Sequence, residues 1–186
     1  MDNVPASSWP RIPANLLDHL TRHEIAFGYY EHPPVATVAE SAVIKETIPG
    51  IHTKNLFLTD RQGSYFLVAW SAQHRFPINR LRKILWCKEL TFGSPDDLQR
   101  LLGVTPGSVS LLGLLHQPPA LSVFLDHAFL DQPAIGRHPN RNDATLTLAH
   151  HDACRLVTAR WYTPYHLYYD IDNDSLQLDR TFVSTS

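Results

Sequence analysis

Two runs that are apolar at nearly every position, Asn55-Leu56-Phe57-Leu58 and Tyr65-Phe66-Leu67-Val68-Ala69, constrain this chain more than any other feature. A strand with one wet face alternates apolar and polar residues; a strand buried on both faces does not. The runs therefore predict two strands in the middle of a sheet covered on both sides, joined by a hairpin turn at Asp60-Arg61-Gln62-Gly63. Leu16, Leu17, Leu20 and Ile25 predict an amphipathic helix starting at Pro13. Further helices are expected over Thr37–Glu46, from Pro77 to about Trp86, from Ser94-Pro95 to a glycine stop at Gly103, and over Asp152–Arg160. Phe27–Tyr30, Leu90–Phe92, Leu121–Leu125 and Ala144–Leu148 read as strands, and Ala134–Asn142 as a loop. The expected fold class is α+β, a single domain with a mixed β-sheet surrounded by helices. Residues 1–13 read as an irregular arm, 14–160 as the domain and 161–186 as a C-terminal extension.

The chain has 186 residues, of which 44% are hydrophobic and 18% charged, enough for one domain with a sizeable core. Sixteen Lys and Arg against eighteen Asp and Glu leave a net charge of −2, which excludes a nucleic-acid binder that works by bulk positive charge. An RNA partner would have to meet a local basic patch. Cys87 and Cys154 form no CxxC pair, and no segment approaches the roughly 18 uninterrupted apolar residues of a membrane span, so a cytoplasmic protein without a membrane partner is expected.

No GxSxG elbow, P-loop, GxGxxG or HExxH motif is present. Eleven histidines include His19 and His23 four residues apart and the pair His150-His151, but none has a usable set of further ligands, and no metal is expected. Two segments carry candidate chemistry. In Pro49-Gly50-Ile51-His52-Thr53-Lys54-Asn55-Leu56, a strongly hydrated ammonium and an amide sit at the entrance of an apolar strand, where Lys54 could serve a phosphate or an oxyanion, or simply be solvated. In Gly136-Arg137-His138-Pro139-Asn140-Arg141-Asn142, glycine and proline shape the backbone while histidine, asparagine and arginine supply donors; a polar turn is the alternative. A weaker feature is the acid-free run from Arg75 to Lys88, with Arg75, Arg80, Arg82, Lys83 and Lys88, where Arg75, Arg80 and Lys83 could line one face and meet RNA phosphates; a solvated face is the alternative.

Taken as an ordered set, Glu31-His32-Pro33-Pro34, the Pro49–Leu58 stretch, Gly103-Val104-Thr105-Pro106-Gly107-Ser108-Val109, and His138-Pro139 followed by Asn142 and Ala144-Thr145 resemble the YbaK/prolyl-tRNA synthetase-associated editing domain family. Within it the chain looks most like the free-standing bacterial deacylases. The resemblance implies hydrolysis of the ester between a wrong amino acid and the terminal adenosine of tRNA(Pro), with alanine expected first and cysteine second. A non-catalytic module that binds tRNA or the synthetase is the alternative from another class. It further implies catalytic roles for Lys54, Gly136 and His138, substrate contacts from His32, Thr53, Asn55, Pro139 and Asn142, attack by a positioned water, and no cofactor. The implied partners are mischarged tRNA(Pro) and prolyl-tRNA synthetase. Asn140-Arg141 and the segment from Trp161 onward depart from the family's pattern.

Overall fold

Strands β2 (Ile51–Asp60) and β3 (Tyr65–Ser71) pair antiparallel from Thr53 opposite Ser71 to Thr59 opposite Tyr65, in the middle of the sheet as their apolar runs require. The structure, a computed structural model, describes residues 12–34, 46–115 and 120–179. Most of the expected N-terminal arm and nearly all of the helix expected over Thr37–Glu46 lie outside those residues. The other strands are β1 (Gly28–Glu31), β4 (Leu90–Phe92), β5 (Ser122–Asp126), β6 (Ile135–Arg137), β7 (Ala144–Leu148), β8 (Tyr165–Asp170) and β9 (Ser175–Asp179). They form one mixed sheet in the order β1-β7-β6-β2-β3-β5-β8-β9, with β4 also paired to β2.

Four α-helices are described: α1 (Ala14–Arg22), α2 (Ile78–Ile84), α3 (Pro95–Leu102) and α4 (His150–Thr158). Helix α3 shows both signals read from its sequence. The Ser94 hydroxyl accepts the Asp97 amide at 3.1 Å, and Gly103 closes the helix at φ +66°. Side chains from α1, α3 and α4 join Phe57, Leu67, Leu125, Ile135 and Leu146 in the larger core on one face of the sheet. Leu58, Phe66, Val68, Trp70 and Phe124 face the other way and pack with Leu81 of α2 in a smaller core. No helix among the described residues is long and apolar enough to cross a membrane.

Several expectations need correction. Ile135–Arg137, expected as loop, is strand β6, held parallel to β2 through Ile51 opposite Ile135 and His52 opposite Gly136. Residues past 160, expected as an extension, continue the sheet, because β8 pairs parallel with β5 and β9 antiparallel with β8. Helix α2 stops before Trp86, which sits 93% exposed at φ +56°. Helix α4 begins two residues earlier than Asp152 and ends two before Arg160.

Candidate active site

Pairing register decides which side chains meet. Antiparallel and parallel partners directly opposite one another project to the same face, so the face can be traced strand by strand. Tyr30 faces Thr145, Thr147 faces Gly136, Gly136 faces His52, and Lys54 faces Trp70. His32, Thr145, Gly136, His52 and Lys54 therefore share one side of the sheet, opposite the larger core. His32 reaches Thr145 directly, with Nε2 3.1 Å from the hydroxyl, and its backbone N–H donates to the Asp143 carbonyl at 3.1 Å.

Lys54 is not at the strand's entrance as expected but is the fourth residue of a ten-residue strand. Its ammonium donates to the His74 carbonyl in the connection between β3 and α2. It sits where β2 changes neighbours. On one edge β6 pairs only with Ile51 and His52, and β4 pairs only with Leu58 to Asp60. Between them, among the described residues, that edge of β2 has no paired strand, and the loop after β6 begins beside it. Gly136 is required here because a Cβ would lie 2.6 Å from Nδ1 of His52, and His52 is itself fixed with Nε2 3.1 Å from the Ile48 carbonyl.

Thr53 and Asn55, expected to contact substrate, alternate to the opposite face of β2 from Lys54. The Thr53 hydroxyl donates to the Gly136 carbonyl at 3.0 Å, and the Asn55 amide lies 3.5 Å from Thr53 Oγ1. Their position makes them a brace that holds β6 at a set distance from β2, behind the site. In the loop, His138 is half-buried, Pro139 is buried and Asn142 is half-buried. Asn140 takes a left-handed φ of +61°, a conformation asparagine tolerates, and its amide reaches the Leu112 carbonyl at 3.4 Å. Arg141 closes a two-pronged ion pair with Asp143.

Arg137 overturns the expectation that the loop's arginines supply donors to a pocket. It is 1% exposed, turned into the larger core with its guanidinium 5.6 Å from the Phe129 ring centroid. Its three side-chain nitrogens have no hydrogen-bond partner among the described residues, and burial pulls its pKa down to about 10. A buried unpaired cation costs stability. Arg137→Met, which keeps the length and removes the charge, is expected to stabilise the fold by about 1–4 kcal/mol. Urea or thermal unfolding measures it, and a lower midpoint than wild type would contradict the assignment.

Arg75, Arg80 and Lys83 do come together, around a cleft of about 490 Å³ that also takes Tyr169 as a wall. Arg80 is ion-paired with Asp174 at the turn between β8 and β9, and this pair, with the Tyr169 hydroxyl, holds the Asp174 pKa down at about 2. Arg75, which lines this cleft, follows His74, whose carbonyl Lys54 holds. A smaller cavity of about 180 Å³ shares Tyr169 with that cleft and is also lined by Trp70, His74, Asp126 and Tyr168. Sequence reading missed this cavity because Tyr168 and Tyr169 come from the segment it could not place. Neither cysteine offers a thiolate to the site: burial raises the Cys87 pKa and pushes Cys154 up to about 11.

The sheet, the split beside Lys54 and the ordered motifs define an editing domain. Residues 32–156 match the aminoacyl-tRNA editing domain family, and the chain belongs to it. Among its relatives is the prolyl-tRNA editing protein ProX of Acetoanaerobium sticklandii, 32% identical over 142 residues, covering 75% of this chain and 87% of that protein. The prolyl-tRNA synthetase associated domain-containing protein 1 of Mus musculus is 31% identical over 145 residues, covering 75% and 86%. A solved structure described as a candidate trans-editing enzyme for prolyl-tRNA synthetase has the same fold, with a TM-score of 0.63 at 17% identity over 87% of this chain and 96% of that one.

Proposed function

We propose that this protein hydrolyses mischarged tRNA(Pro) in trans, with Ala-tRNA(Pro) as the first substrate, by attack of a positioned water on the aminoacyl ester. The observation that carries the reading is the placement of Lys54 on the face of the sheet that also carries Gly136, at the point where the sheet splits. An ammonium fixed there supplies positive charge to the terminal nucleotide or to the oxyanion that develops on the ester carbonyl. The backbone of the Gly136–Asn142 loop and the half-buried His138 orient the ester and the water. The terminal ribose hydroxyl assists, and no covalent enzyme intermediate forms, in keeping with two thiols that stay protonated at neutral pH. The cavity lined by Trp70 and Tyr168 suits the terminal base, and Arg75 and Lys83 at the cleft suit the phosphates before it.

Selection follows from size. A synthetase site built for proline rejects a smaller amino acid by only about 1–3 kcal/mol per missing methylene, so a second site that excludes proline is needed for fidelity. The test is release of labelled amino acid from Ala-tRNA(Pro), Cys-tRNA(Pro) and Pro-tRNA(Pro). Alanine is expected to leave at least tenfold faster than either of the others. Tight tRNA binding without turnover of any ester would make the protein a binding module instead.

A further inference from the structure

Behind the sheet, on the face away from Lys54, three side chains that the hydrolysis does not use converge. His150 and Cys154 stand one turn apart on α4, and His166 projects from β8. Nε2 of His150 is 2.9 Å from Nε2 of His166 and 3.4 Å from the Cys154 sulfur. One donor atom from each residue lies within 4.8 Å of the other two, and the residues are 1%, 7% and 0% exposed. Metal bonds of about 2.0–2.3 Å place neighbouring donors roughly 3.3–3.8 Å apart, so these atoms need to shift by no more than about 1 Å to surround one ion. A thiolate with two imidazoles is a soft set that takes Cu(I) or Zn(II).

The neighbouring charge separates those two ions. The Arg137 guanidinium acts electrostatically on both Cys154 and His150, and no hydrogen bond from the described residues neutralises it. Zn(II) replacing the thiol proton would add one net positive charge beside Arg137 in a low-dielectric core. Cu(I) replacing that proton adds none. We infer that His150, Cys154 and His166 form a buried site for a soft monovalent d10 ion, Cu(I). Binding breaks the Cys154 S–H bond and forms S–Cu; the proton passes to solvent, and copper keeps its oxidation state.

The test is anaerobic titration of the full chain with Cu(I) against a chromophoric competing chelator, both as folded protein and after refolding with the ion present. One equivalent is expected, with a near-ultraviolet thiolate-to-copper band. Cys154→Ser and His166→Gln should each weaken binding at least tenfold, and Cys87→Ser should leave it unchanged. In the Cys87→Ser protein, one equivalent of Cu(I) should also protect Cys154 from a thiol reagent, a readout that needs no ligand variant to fold. Zn(II) should bind weakly to wild type and at least tenfold better to Arg137→Met. No stoichiometric uptake in either preparation, or equal uptake by both ligand variants, overturns the site. Tight Zn(II) binding that Arg137→Met does not change overturns the choice of ion.

Discussion

Replacing Lys54 by alanine is expected to lower the rate of Ala-tRNA(Pro) hydrolysis by about 10²–10³-fold, the usual loss when one preorganised donor to developing charge is removed. The fold should survive. Lys54 lies on the half-buried part of β2, and its hydrogen bond to the His74 carbonyl is worth about 0.5–1.5 kcal/mol. Lys54→Met, which keeps the stem against Trp70 and removes the charge, should lose as much activity as alanine. Lys54→Arg should recover little, because a planar fork cannot take the place of a compact ammonium held by one carbonyl. Single-turnover rates with saturating enzyme read the chemical step apart from tRNA capture. A rate within threefold of wild type for Lys54→Met would remove Lys54 from the chemistry.

That prediction depends on a point no local pattern in the chain discloses. The motif around Lys54 marks the region, but Thr53, Lys54 and Asn55 are indistinguishable as candidates until pairing shows which face each occupies, since one step along a strand reverses the side. Residues 55–58 and 65–69 were legible because burial on both faces leaves its mark on every residue, and α3 was legible because Ser94 and Gly103 act within one turn of their own helix. Strand β6 was not. Its three residues include a glycine and an arginine, and they are strand only because β2 and β7 lie on either side. Burial of Arg137 is likewise a consequence of register: Ile135 faces the larger core, so the residue two along does too. His150 and Cys154 show helical spacing, but their third companion is twelve residues past Cys154 on β8, in a stretch whose strand pairing depends on distant β5.

Gly50→Ala is expected to damage both stability and catalysis, because the junction that aligns β6 with β2 has no room for a side chain. Gly50 holds φ at +96°, and a Cβ there would lie 2.2 Å from the Ala134 carbonyl oxygen. That same oxygen accepts the Ile51 amide at 3.1 Å, so relieving the clash pulls apart the first bond between the two strands. The left-handed backbone and the forced displacement together predict a loss of about 2–5 kcal/mol. Gly63 supplies the internal comparison. It holds φ at +82° in the β2–β3 turn, but a Cβ there meets nothing within 4 Å, so Gly63→Ala isolates the backbone cost, about 1–2 kcal/mol. The difference between the two variants is therefore the close approach of Ala134 alone. Because β6 carries Gly136 and leads into His138, Gly50→Ala should also lose most of its deacylation rate at a temperature where circular dichroism shows it folded, while Gly63→Ala keeps its rate. Equal destabilisation by the two substitutions, or full activity in folded Gly50→Ala, would mean that the β2–β6 junction does not set the geometry of the site.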